Sequence, residues 1–105
     1  MDDNRPLSQI FAEAGYDWAQ KKKAADLLDG MKSAMVAQKQ LEQGGIAVNK
    51  AEQLVKASQW YVDYIADLIA AKTEENLAWV KVETIKMEFN EWQSNQANMR
   101  LEAKL

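Results

Sequence analysis

The sequence has no cysteine and no histidine, and only one proline and four glycines among its 105 residues. Without cysteine there is no disulfide framework, no thiol nucleophile and no thiolate ligand for a metal. Without histidine the chain lacks the side chain that most often moves protons near neutral pH. Most familiar catalytic and metal sites are thereby excluded, and neither a metal nor a cofactor is expected. A basic excess is missing as well. Lys and Arg number 13 against 16 Asp and Glu, a formal net charge of −3, which offers no overall attraction to a polyanion. Long apolar runs are also lacking: the most apolar stretch, Tyr61 to Ala71, is interrupted by Asp63 and Asp67 and falls short of the roughly 20 residues that span a bilayer. The opening Met1-Asp2-Asp3-Asn4-Arg5-Pro6 is acidic and polar where a secretory signal is positive and then apolar. The expectation is a cytoplasmic protein without a membrane partner.

What is present points to helix. Hydrophobic residues make up 48% and charged residues 28%, and the scarcity of Pro and Gly leaves few places where a helix must stop. The composition predicts an all-α chain, and its length a single domain over residues 1–105. Pro6 suits a helix start, and Leu7, Ile10, Phe11 and Ala14 have the spacing of one buried stripe, giving a short helix at about 7–14. Gly15 costs about 1 kcal/mol relative to Ala in a helix interior, so a second helix is expected from about 16 to 43. Its apolar side reads as Ala24, Leu27, Leu28, Met31, Ala34, Met35 and Leu41, with Lys21, Lys22, Lys32 and Lys39 in water. Gly44-Gly45 marks the loop at 44–48, because glycine takes the left-handed conformation that ends a helix. Asn49 and Glu52 have the spacing of a capping box for the next helix.

That next helix, over about 49–103, carries the clearest pattern. Alternating steps of three and four connect Leu54, Ala57, Tyr61, Tyr64, Leu68, Ala71, Glu75, Ala78, Val82, Ile85, Phe89, Trp92, Gln96 and Met99. A competing reading caps a new helix at Thr73-Glu74-Glu75-Asn76. A second row, Val55, Val62, Ile65 and Ile69, widens the apolar face into that of a multi-helix core. An antiparallel hairpin turning near Ile46 sets Leu28 near Tyr64 and Met31 near Tyr61, where Gly30 would leave room for the rings of Tyr61 or Trp60. It also exhausts the first arm at about Ala78. Val82, Ile85, Phe89 and Trp92 are then left for the opening helix or for another chain, and they are the candidate homo-oligomer interface of a helical bundle or coiled coil.

Among the remaining candidates, Trp60 and Trp79 lie off the stripe, and large rings of this kind are enriched in protein interfaces. They are the candidate contacts for a protein partner, weighed against a role in widening the core. Met31, Met35, Met87 and Met99 read first as fillers of core gaps. Lys21-Lys22-Lys23 is the one basic run, flanked by Asp17 and Asp26, and reads as a solvated face. Its functional alternative is a nucleic-acid track completed by oligomer symmetry. Glu74 and Glu75, with Asp67, read as exposed helix face, and the Glu-x-x-His pairs of di-iron bundles require the histidine this chain lacks.

The tail from Phe89-Asn90-Glu91-Trp92 through Gln93-Ser94-Asn95-Gln96 to Ala97-Asn98-Met99-Arg100 resembles the ends of small helical proteins of unknown function encoded among bacteriophage and prophage early genes. In those an acidic helix closes on a Trp, a polar pair, Ala and Arg. The resemblance implies a phage or prophage origin, beside genes for recombination or replication, and it carries over no catalytic residue. Gln93 stands where a basic residue is expected. Together these readings predict a non-enzymatic, oligomeric helical interaction protein acting on a host or phage protein; the alternative is an accessory nucleic-acid-binding protein of phage recombination or replication.

Overall fold

The computed structural model describes residues 4–104. Three helices occur in order, α1 (Leu7–Glu42), α2 (Val48–Lys56) and α3 (Gln59–Lys104), and no strand is found among the described residues. The chain divides into two compact units, and each long helix contributes to both. Unit 1 joins the α1 stretch up to Gln20 with the α3 stretch from Asn76. Unit 2 is continuous, from Lys21 to Glu75.

The Pro6 carbonyl accepts the first bonds of α1, from the amides of Gln9 and Ile10 at 3.0 and 3.2 Å. Proline suits this place because its missing N–H would have no partner within the first turn. The expected interruption at Gly15 is absent. Helical hydrogen bonding on both sides outweighs the weak propensity of a single glycine, so one helix runs where two were expected. It ends at Gly44 and Gly45, whose φ values of 42° and 71° lie in the left-handed region.

The expected unbroken helix after the loop is divided instead, near its start rather than at Thr73. No capping box forms at Asn49: the N-cap of α2 is Ala47, which makes no side-chain cap, and Glu52 pairs with Lys56 at 2.8 Å. The break falls at Ala57 and Ser58. Ser58 donates its hydroxyl to the Val55 carbonyl at 2.5 Å and accepts the Tyr61 amide at 3.3 Å, closing α2 and capping α3 with one side chain. From Gln59 onward α3 passes through Thr73 without interruption, the Thr73 hydroxyl bonding back to the Ile69 carbonyl at 2.9 Å.

Within unit 2, α1 and α3 run antiparallel. The Tyr64 hydroxyl donates to the Leu28 carbonyl at 2.5 Å, in the register the sequence predicts, and Lys39 lies 5.3 Å from the Trp60 ring centre. The buried residues are Ala25, Ala51, Val55 and Leu68. The apolar side expected for α1 is therefore corrected: Leu28 and Met35 are half-buried, whereas Ala24, Leu27, Met31, Ala34 and Leu41 are exposed. Half-buried Lys21, Lys32 and Lys39 occupy the inward line instead, alternating with Ala25, Leu28 and Met35 at steps of three and four. Long lysine stems pack along such a seam while their ammonium groups reach water. Of the second row, Val55 on α2 is buried and Ile65 on α3 half-buried, while Val62 and Ile69 face solvent. Met31, Met87 and Met99 are exposed and fill no core gap. Open space surrounds Gly30, so it makes no room for Tyr61 or Trp60.

Within unit 1 the packing is again antiparallel and clusters Ile10 and Ala14 of α1 with Val82 and Ile85 of α3, flanked by Leu7 and Trp18. A buried Val or Ile contributes about 1.5–3 kcal/mol, so these two positions on α3 hold the unit together.

A Cβ added at Gly15 or Gly30 meets nothing within 4 Å. Gly15→Ala and Gly30→Ala should each raise stability by about 0.5–1 kcal/mol in urea unfolding, whereas Gly44→Ala should lower it because of its positive φ.

Candidate functional site

The surface that stands out in unit 1 follows from where α1 begins. Leu7 is the first helical residue of α1, and it reaches α3 at Ile85 and Phe89. The stripe of α3 continues past this point as Trp92, Gln96 and Met99. At the junction lies an almost wholly apolar groove of about 280 Å³, walled by Leu7, Ser8 and Phe11 on one side and by Ile85, Lys86 and Phe89 on the other. The rings of Phe89 and Trp92, one helical turn apart, stack at 6.2 Å with 18° between their planes. They are 37% and 56% exposed, and together with the groove they leave a patch of large apolar side chains open to solvent.

The four residues expected to form an oligomer interface thus separate into two pairs. Val82 and Ile85, only 6% and 5% exposed, are committed to Ile10 and Ala14 within the same chain. The expectation that all four face another copy fails for this pair, because the opening turns of α1 cover them. Phe89 and Trp92 remain accessible. Two further residues of the patch come from α1. Ile10 and Ala14 of the opening stripe are buried as expected, but Phe11 is 41% exposed and Leu7 half-buried, so both supply groove wall. The neighbouring apolar positions Ile10 and Phe11 already signal a face wider than one seam can cover.

Trp79 lies in unit 1 against Trp18, ring centres 4.9 Å apart and planes at 47°, and keeps 44% of its surface exposed. Trp60 lies in unit 2, half-buried, tilted against Tyr64 at 5.5 Å and beneath the Lys39 ammonium. Its ring is largely occupied by its own chain. The three lysines of the basic run differ as well. Lys22 pairs with Asp26 at 2.8 Å, and this hydrogen bond, followed by the Asp26 charge, raises its pKa above the ordinary lysine value. Lys21 is half-buried, and Lys23 is exposed. A nucleic acid would have to displace Asp26 to engage Lys22 fully. Among the described residues no group of acidic side chains is arranged to hold a metal, and Glu74 is exposed while Glu75 is half-buried. No helix among them is long and apolar enough to cross a membrane.

No family model, curated protein or solved structure matches the chain.

The Trp18 and Trp79 pair should be visible in solution. A double-mutant cycle through Trp18→Ala and Trp79→Ala should give a coupling of about 0.5–1.5 kcal/mol in urea unfolding, the range for aromatic pairs beyond simple burial.

Proposed function

We propose that this chain is a non-enzymatic helical interaction protein that assembles with further copies of itself through the apolar end of unit 1. The observation that carries this reading is the exposed Phe89–Trp92 stack beside the groove of Leu7, Phe11 and Ile85. Leaving two large rings and an apolar groove in water forgoes roughly 25 cal/mol for each Å² that a partner would cover. The occupant is a second copy because the patch extends the same three-and-four spacing that α3 already uses to pack on a helix of this chain. A seam of that spacing fits another helix of similar pattern.

Assembly leaves the outer part of Trp79 available to a further protein partner, whose contact with a large rigid ring costs little conformational entropy. The tail's resemblance to phage and prophage early proteins supports a role as an accessory or host-modulating factor. The absence of His and Cys and the lack of any metal-holding acidic cluster among the described residues support a role without catalysis.

Sedimentation of three proteins tests assembly. Unaltered chain is expected to sediment as a dimer or larger species. Phe89→Asp combined with Trp92→Asp should reduce it to a monomer with unchanged helical circular dichroism, since neither side chain belongs to the buried cluster. Ile85→Asp should instead destabilise the fold by about 3 kcal/mol or more, because it places a charge in the core. A monomeric unaltered chain, or an assembled mass that survives the double change, would sink the proposal.

A further inference from the structure

A second groove, of about 370 Å³, lies in unit 2 where all three helices meet, and its chemistry is the opposite of the first. From α1 come Lys32, Ser33 and Gln40, with Val36 and Ala37 between them; α2 adds Glu52 and Lys56, and α3 adds Tyr61. The residue that distinguishes this groove is Lys32. It stands on the inward line of α1, half-buried, at a position where the packing pattern would place an apolar side chain. Its two counterparts on that line are engaged: Lys39 lies over Trp60 and 3.5 Å from Glu42, and Lys21 also has an interaction partner. Among the described residues the Lys32 side chain has no ion pair or hydrogen bond.

The one carboxylate in the groove does not answer it. Glu52 is held by Lys56 at 2.8 Å, and that hydrogen bond, followed by the Glu52 charge, raises the pKa of Lys56. With this pair neutralised, the groove retains the charge of Lys32. The groove is also lined by side chains able to donate hydrogen bonds: the Ser33 hydroxyl, the Gln40 amide and the Tyr61 phenol. Val36, Ala37 and the carbon atoms of Tyr61 supply the apolar part of the lining. A compact ammonium with several neutral donors suits a tetrahedral anion, which accepts bonds from more directions than a planar carboxylate.

We infer that this groove is a binding site for a small phosphate ester, its phosphate held by Lys32 with Ser33 and Tyr61 and its apolar body against Val36 and Ala37. The site is independent of the assembly surface, since every residue in it belongs to unit 2.

Titration of the full chain with phenyl phosphate, followed in amide proton–nitrogen spectra, tests it. Saturable shifts are expected at residues 32–40, 52–56 and 61. Lys32→Gln should weaken binding by roughly tenfold or more, the size of a lost hydrogen bond to a charged group, while Lys32→Arg restores most of it. Tyr61→Phe should weaken it less. Inorganic phosphate should bind more weakly than phenyl phosphate; equal affinity would remove the apolar wall from the proposed site. Co-sedimentation with phosphatidic acid vesicles, if lost with Lys32→Gln, would assign the ester to a lipid headgroup, and its absence beside phenyl phosphate binding would assign it to a soluble ester. Absence of saturable shifts, shifts spread evenly over the exposed lysines, or unaltered affinity in a folded Lys32→Gln protein would overturn the inference.

Discussion

A helix carrying a long apolar stripe cannot bury it against itself, and everything else in this protein depends on what covers the stripe of α3. In both units the cover comes from α1, which is why the continuity of α1 through Gly15 matters more than the strength of any one contact. Had the chain turned there, the opening turns would have had to reach Val82 and Ile85 as a separate short helix. Because it does not, Ile10 and Ala14 lie against them, and the residues left without a covering helix begin at Phe89. The position of Leu7 as the first helical residue of α1 thereby sets where the exposed aromatic surface starts.

The α3 pattern was legible from spacing alone. The stripe read from Tyr61 to Ile85 is the inward face, and the pairing of Leu28 with Tyr64 follows from the hairpin turning at Gly44-Gly45. The pattern of α1 was not, because three lysines stand in its inward line. A reading that assigns every lysine to water rotates the helix and brings Leu27 and Met31 inward, where the structure has Lys32 and Ala25. The break at Ser58 was equally hidden. Neither Gly nor Pro marks it, and a lone serine that caps one helix while closing another looks like any serine in a helix. Of the candidate surface, Phe89 and Trp92 were visible as the end of a stripe with too little helix to cover it. Leu7 and Phe11 were visible only as core, since spacing cannot reveal that a groove opens beside them.

The two grooves show how little of a helix pair's chemistry is fixed by its fold. Both lie where α1 meets α3, and in unit 2 α2 joins them. One is walled almost entirely by carbon, and the other presents ammonium, hydroxyl and amide groups around a narrow apolar wall. The difference comes from substitutions at positions of the same three-and-four spacing: Leu7 and Phe89 on the first, Lys32 and Tyr61 on the second. Apolar surface of the first kind gains by excluding water over an area, whereas the second gains only where a ligand replaces the water bonds of each polar group.

The division of the chain into units also bears on the order in which it folds. Unit 2 is a single continuous stretch, so its contacts close short loops, beginning with the one at Gly44-Gly45. Unit 1 joins the two ends of the sequence, and closing it directly would fix a loop made of the whole of unit 2. Loop-closure entropy therefore favours the local hairpin of unit 2 first. A nascent chain leaving the ribosome has all of unit 2 before it has the α3 half of unit 1. Until the α3 half of unit 1 has emerged, Ile10 and Ala14 have no Val82 or Ile85 to cover them.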